Sequence, residues 1–514
     1  MMASVQDPPL QRRKFGPWKL GPFVAAISTG VLLILTFPNF DLSILCWIAL
    51  VPLMLACAVE PRAGRRFLLG WIAGSVFFLG TCFWCYGVMH HYGNLTVLES
   101  TGVLLAMTSG LAVYFGLFTL AFPWTLSRPW LTLAGAGALW TACEFARGHV
   151  FIGFPWLFLG YATADQMLLA QLASFTGVYG LSFLVAAFNA GVFLVIRNPE
   201  RKNWGMRLAA GLILLSGVTL GGGLLKREHP TESAYLLQTG VPLDMEWTTQ
   251  YRDAFLQDMS TKLIARYARN DSRDGLVIWP ETPAPLYYNE DPELRAYVAR
   301  MARSTNSHVL LNSVTYEGET PRHPLNSTLG IAPDGSLEGQ YDKIELVPFG
   351  EHVPYSSFFF FAGKLTTEVG DFAPGKRYEV LPGPNHSRVA VMICYEAGFP
   401  ELVRELTSHG ANVLVNQSND GWFGDSPARR QHLLMSRLRA IENDRWLLRA
   451  TNDGLTAVID PEGRFESFPS GERAVYLARY AVKSSQTVYT RFGDWFAYLC
   501  IAAAVGIIFY RGKK

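Results

Sequence analysis

The chain has 514 residues, half of them hydrophobic and only 17% charged, with a formal net charge of +2. An ordinary soluble protein of this length is rarely so apolar, so the composition points to a membrane protein with room for more than one domain. No basic cluster interleaved with aromatics argues for nucleic acid, and the seven cysteines are an odd count with six in apolar segments, so no disulfide framework is implied.

Residues 1–19 are polar and basic, carrying Arg12, Arg13, Lys14 and Lys19, and residues 20–40 that follow are uncharged. No small-x-small cleavage site follows, and a second apolar segment starts at Leu42. An uncleaved anchor is therefore expected rather than a signal peptide. Further apolar segments run over 42–59, 67–89, 100–127, 129–143, 166–196, 208–225 and 488–510. A helical span takes about 20 residues, so the reading is eight transmembrane helices. Basic residues at 12–14, 62–66, 128, 197–202 and 511–514 then fall on one side, which is the cytoplasmic side. The long stretch between the seventh and eighth spans lies outside the cytoplasmic membrane. The expected organisation is 1–226 as a membrane domain of seven helices, 227–487 as an outer catalytic domain, and 488–514 as a last helix with a basic tail.

Polar residues inside or beside the spans each carry two readings. Glu144 and Arg147 stand one helical turn apart at the outer end of a span, as an internal ion pair or as a lipid-headgroup contact. Cys82 and Cys85 have CxxC spacing but lie in an apolar run, which favours helix packing over redox or metal chemistry. His90 and His91 have no carboxylate or third ligand nearby in sequence, so no metal is expected. The outer loop from Gly153 through Trp156 to Tyr161 is aromatic and broken by Gly and Pro, as suits a membrane interface.

In the outer domain, strand-like runs at 234–238, 276–279, 308–316, 389–394, 412–416, 456–459 and 474–478 alternate with helical patterns at 251–269, 292–304 and 427–443. That alternation predicts an α/β layered fold. Three of its turns carry chemistry. Cys394 is the lone cysteine between Lys226 and Val488, and it ends a β-branched run. Glu281 ends the run Leu276-Val-Ile-Trp-Pro, and Lys343 follows Tyr341-Asp342. A thiol needs a base or a nearby cation to become a nucleophile, so a carboxylate, an ammonium and a thiol at the edges of apolar runs read as an acyl-transfer set. Glu281 is the expected base and Lys343 the expected oxyanion-stabilising cation, with the backbone N–H of Tyr395 as second donor. A structural Glu–Lys pair beside a buried thiol is the bland alternative.

Trp279-Pro280-Glu281, Lys343 with Val347-Pro-Phe-Gly-Glu351, and Cys394-Tyr395-Glu396 together resemble the Glu-Lys-Cys triad of the nitrilase, or carbon–nitrogen hydrolase, superfamily. The resemblance is closest to its membrane-embedded branch, which adds the third acyl chain to bacterial lipoproteins, and it covers nearly the whole chain. It implies a four-layer αββα sandwich. It also implies that Glu351 and Glu396 support the active site, each otherwise readable as a surface carboxylate. Trp247 matches a tryptophan associated with substrate, though alone it reads equally as core. Trp156, in Gly153-Phe-Pro-Trp156, matches a loop at the lipid entrance. Phe358 and Phe359, within four consecutive phenylalanines, fit neither helical nor two-fold period and suggest a lid dipping into the outer leaflet, or else a packed loop.

The implied partners are a membrane phospholipid as acyl donor and a diacylated apolipoprotein as acceptor, with no cofactor. The implied location is the bacterial inner membrane, with the catalytic domain on the periplasmic side. Two other functions compete. A membrane-tethered amidase or nitrilase would use water as acceptor, and a transporter or receptor would carry an inactive outer domain. The intact Glu-Lys-Cys set argues against the last.

Overall fold

Strand Glu232–Gln238 shows how the outer domain is layered. Its side chains alternate in direction, as any strand's must. Ala234 and Leu236 join one buried cluster, and Tyr235 and Leu237 join another. A strand buried on both faces needs cover on both sides. The computed structural model, which describes residues 20–198, 211, 229–269, 275–281, 287–318, 322–352 and 372–511, supplies that cover with four layers.

Among the described residues, twelve strands form two sheets of six. In chain order they are β1 Glu232–Gln238, β2 Gly275–Ile278, β3 Ser307–Glu317, β4 His323–Ile331, β5 Leu337–Asp342, β6 Val380–Pro382, β7 Arg388–Ile393, β8 Val413–Ser418, β9 Leu447–Thr451, β10 Ala457–Ile459, β11 Phe465–Ser467 and β12 Ala474–Tyr480. One sheet runs β12-β1-β2-β3-β4-β5 and the other β11-β10-β9-β8-β7-β6. The core between them takes Leu236, Ile278 and Leu310 from the first and Val389, Val391 and Val415 from the second. Helices Thr249–Tyr267 and Pro292–Thr305 cover the outer face of the first sheet through Phe255, Met259, Leu263 and Val298. Helices Pro400–Ser408 and Ala428–Asn443 cover the second through Leu402, Leu406, Leu433 and Ala440. This is the expected α/β layering. β1, β2 and β3 are parallel neighbours, as are β7, β8 and β9, so each sheet gathers strand C-termini at one edge.

The other part is helical: Gly21–Thr36, Val51–Val59, Ala63–Cys82, Val97–Ala121, Pro129–His149, Ala173–Arg197 and Trp495–Arg511. Among the described residues two helices are long and apolar enough to cross a membrane, or three if Ala63–Cys82 and the segment bent from it by 54° are one span. The expected single span over 42–59 is two pieces, a 3-10 turn Ser43–Trp47 and the helix Val51–Val59, and the span over 208–225 lies outside the described residues apart from Gly211. Helix Val97–Ala121 starts on a capping box of Thr96 and Glu99. It crosses helix Ala63–Cys82 closely. A Cβ on Gly70 would sit 2.2 Å from Thr119 Oγ1, so the contact requires glycine there.

Helix Ala428–Asn443 joins the two parts. Gln431 donates to the carbonyls of Pro38 and Thr81 at 3.3 and 3.1 Å and accepts from Trp156 Nε1 at 2.8 Å. Arg437 reaches Asp165 at 2.6 Å, and Glu442 accepts the N–H of Val178 at 2.9 Å. All three side chains on this helix are buried.

Candidate active site

Glu281, Lys343 and Cys394 follow β2, β5 and β7, so the first two come from one sheet and the thiol from the other. All three are buried. Lys343 Nζ lies 2.8 Å from Glu351 Oε1 and 3.4 Å from Glu281 Oε1. Burial alone would lower the lysine's pKa. The charges of Glu351 and Glu281, with Cys394 beyond them, outweigh that and raise its pKa, so the ammonium persists. Cys394 is pushed the other way. Burial, then the Glu281 charge, raise the thiol pKa, against Lys343 and a hydrogen bond with Ser418. The resting group is a thiol. A thiol in this state becomes a nucleophile only where a base takes its proton.

Asn326 on β4 ties the carboxylates together, donating from Nδ2 to Glu281 Oε1 at 3.1 Å and Glu351 Oε1 at 2.9 Å. The other oxygen of each carboxylate accepts a backbone N–H: Glu281 from Asn419 at 3.0 Å, Glu351 from Val347 at 2.8 Å. Neither Asn326 nor Asn419 stood out in the sequence. The available signal was Asn419-Asp420-Gly421 directly after an apolar strand, a turn signature that reads as a loop and nothing more.

Cys394 sits at φ 52°, the left-handed region, at the start of a 3-10 turn Cys394–Gly398. A non-glycine residue there is strained by about 1–2 kcal/mol and must be held by its surroundings. Glu396 does part of this. It is fully buried, not at the surface. It accepts from the N–H of Ile393 at 2.7 Å, the N–H groups of Ile344 and Glu345 at 2.7 and 3.2 Å, and the Tyr341 hydroxyl at 2.8 Å. One carboxylate thus staples the cysteine turn to the loop that carries the lysine. Burial raises its pKa to about 7 despite these donors.

The aromatic predictions divide. Trp156 is buried, 6.4 Å between ring centroids from Tyr395 and 5.9 Å from His432, so the loop of the helical part lies directly against the cysteine turn. Trp84 and Phe423 complete this aromatic cluster. Trp247 is half-buried and packs edge-on against Tyr251 and Phe255, with Trp279 beyond Phe255. Phe358 and Phe359 lie outside the described residues.

Glu144 and Arg147 do not hydrogen-bond each other. Arg147 donates to the carbonyls of Phe154 at 2.8 Å and Trp156 at 2.7 Å, and Glu144 accepts the N–H of Leu159 at 2.6 Å. Both are buried, so they shape the loop that presents Trp156.

Two family models match the chain: the apolipoprotein N-acyltransferase N-terminal domain over residues 29–191 and carbon–nitrogen hydrolase over residues 245–485. Apolipoprotein N-acyltransferase of Geobacter metallireducens is 35% identical, with 96% of each chain covered. The enzyme of the same name from Bradyrhizobium diazoefficiens is 34% identical with 77% of each covered, and that of Vibrio vulnificus 28% identical with 96% of this chain and 97% of the other covered. Among solved structures, an amidase from Nesterenkonia sp. AN1 is 17% identical with a TM-score of 0.38, covering 52% of this chain and 99% of its own. Saccharomyces cerevisiae Nit3 is 17% identical with a TM-score of 0.37, covering 50% and 92%.

Proposed function

This chain belongs to the apolipoprotein N-acyltransferase family, and from that premise we propose how its residues carry an acyl chain from a membrane phospholipid to the α-amino group of a lipoprotein's diacylglyceryl-cysteine. The observation that carries the reading is the contact of Trp156 with Tyr395, which sets the nucleophile's turn against the apolar helices. An acyl-transfer set placed there meets lipid-anchored substrates in preference to water.

The steps follow from the site. Glu281 takes the thiol proton of Cys394 as sulfur attacks the ester carbonyl of the phospholipid. The oxyanion forms against the Lys343 ammonium and the backbone N–H of Tyr395. On collapse, the carbon–oxygen bond breaks and Glu281 returns its proton to the leaving lysophospholipid hydroxyl. A thioester remains on Cys394. The free amine of the acceptor attacks it, Glu281 receives the amine proton, the carbon–sulfur bond breaks, and the thiolate is reprotonated. Glu351 keeps the lysine charged and in place, and Glu396 holds the two loops together. The scheme assigns Trp156 and Trp247 to substrate binding, together with Phe358 and Phe359, which lie outside the described residues. In this reading residues 1–226 are a membrane domain of seven spans and residues 488–514 a last span, with the catalytic domain between them. That domain faces the periplasm of the bacterial inner membrane, as the distribution of basic loops supports.

The test is mass spectrometry of the protein incubated with phospholipid and no apolipoprotein. One acyl mass is gained on Cys394, is released by neutral hydroxylamine and is absent in Cys394→Ala. Steady-state plots at varied donor and acceptor are parallel. No adduct under any condition, with intersecting plots, means direct transfer and overturns the scheme. Rapid loss of the adduct to water without acceptor would make the chain a hydrolase.

A further inference from the structure

Behind the nucleophile lies a polar cluster that the steps above do not use. The carbonyl oxygen of Cys394 accepts from His432 Nε2 at 2.9 Å and from Asn416 Nδ2 at 3.4 Å. The other ring nitrogen of His432 is 3.2 Å from Asp420 Oδ1 and 3.1 Å from Arg449 Nη2. Arg449 grips both oxygens of Asp420 at 2.6 and 2.7 Å and also bonds Asn416 Oδ1. Ser418 donates to Asp420 Oδ1 at 2.8 Å. His432, Asp420, Arg449, Asn416 and Ser418 are all fully buried.

The geometry fixes one ring nitrogen. A carbonyl can only accept, so Nε2 carries a proton. Nδ1 lies between Asp420 Oδ1 and Arg449 Nη2, which hold the ring in place. Burial and the Arg449 charge both lower the His432 pKa, against the pull of Asp420.

We infer that His432, set by Asp420 and Arg449, is a positioning residue that orients the Cys394–Tyr395 peptide so that its N–H faces the developing oxyanion. The reason is peptide geometry. This bond is trans. In a trans peptide the C=O and N–H point in opposite directions. Anchoring the carbonyl inward on His432 therefore turns the Tyr395 N–H outward, and the same bond helps hold Cys394 at its left-handed φ. The cluster acts on the reaction without touching substrate. The inference rests on the acyl-transfer reading of Cys394 and on Tyr395 N–H as an oxyanion donor.

The experiment uses the full-length protein in detergent or liposomes and compares His432→Leu, His432→Gln and His432→Asn. Two reactions of Cys394 are followed in each. Acylation by phospholipid in a single turnover needs the oxyanion donors, whereas alkylation by iodoacetamide forms no oxyanion. In His432→Leu the acylation rate falls about 10–100-fold, less than the 10²–10³ expected on deleting an oxyanion donor. Half-saturation by phospholipid changes less than about threefold and alkylation stays near wild type. Glutamine reaches the Cys394 carbonyl with its amide N–H₂ and recovers most of the acylation rate, while asparagine is too short and does not.

Acylation of His432→Leu within threefold of wild type overturns the inference. So does an equal loss of acylation and alkylation, which would mean that the thiol and not the peptide had moved. If His432→Leu does not fold, the other pair decides, and equal acylation rates in Gln and Asn overturn the inference. Failure of the underlying reading looks different, because wild-type Cys394 then gains no acyl group at all.

Discussion

The ammonium of Lys343 donates to Glu351 Oε1 at 2.8 Å. The distance from the same nitrogen to Glu281 is 3.4 Å. The shorter contact divides the labour. Glu351 neutralises the lysine, and Glu281 keeps lone-pair capacity for the thiol proton. Glu351→Gln preserves shape and removes the charge, so the Lys343 pKa falls. The alkaline limb of the pH–rate profile for single-turnover acylation then moves to lower pH, with a loss of about tenfold or more at neutral pH. An unmoved alkaline limb would show that Glu351 does not hold the lysine's charge.

In the proposed scheme Glu281 and Lys343 act in the chemical step, and Glu281→Gln and Lys343→Ala each remove one of them. Each lowers turnover by about 10²–10⁴ while membrane insertion and protease resistance remain. Near-normal turnover in either variant removes that residue from its role.

Glu396 makes stability depend on pH. Its carboxyl has a pKa of about 7 in the folded chain, raised by burial from 4.5. Between those values the folded chain holds a proton that the unfolded chain has lost. This contribution is complete below pH 4.5, declines as pH rises and is gone above about 7. Thermal unfolding of wild type between pH 5 and 8, compared with Glu396→Gln, isolates it. Wild type loses up to a few kcal/mol across the window relative to its own value at pH 5. The variant, though less stable throughout because its amide N–H₂ faces backbone donors, lacks that slope. Parallel curves would refute the assignment.

The joint between the two parts is open to a double-mutant cycle. Gln431→Leu leaves the Trp156 N–H and the carbonyls of Pro38 and Thr81 without this partner. Trp156→Phe leaves one amide oxygen of Gln431 unmatched. Buried unsatisfied groups cost about 1–3 kcal/mol each, so both single changes lower the unfolding temperature. The double variant loses less than the sum, because the bond it removes was already broken in each single. Strict additivity would mean that the bond contributes nothing.

The sequence made some parts of this fold easy to read and hid others for physical reasons. β7 from Val389 onward and Val413 to Val415 of β8 are apolar on both faces, and such runs announce a buried strand; helix Ala428–Asn443 shows a clear pattern. β4, β5, β6, β9 and β11 went unread. β4 carries Asn326, Ser327 and Thr328, β5 is Leu-Glu-Gly-Gln-Tyr-Asp, and β9 places Arg449 in its middle. Ser327, Thr328 and Arg449 are buried because each meets a partner from another element: Asp342 for Ser327, Gln417 for Thr328, Asp420 for Arg449. Hydrophobic periodicity cannot register a group whose partner is far along the chain. The same holds at the site. Glu281 and Cys394 stood at the ends of readable strands and could be found there, whereas Lys343 follows the unread β5 and was found through its motif with Val347-Pro-Phe-Gly-Glu351. Asn326 and His432 act through bonds to residues far away in sequence, and nothing local marks them.

Gln431, Arg437 and Glu442 also bear on how the chain can evolve. A tethered enzyme and its anchor could drift apart in sequence, linked by no more than a hinge. Here the helix that backs the cysteine turn with His432 also presents three buried polar side chains to carbonyls, a carboxylate and an N–H of the helical part. Each half is therefore a lock cut for the other's key. A catalytic domain grafted in place of this one keeps the joint only if it brings partners for the Pro38 and Thr81 carbonyls, the Asp165 carboxylate and the Val178 N–H.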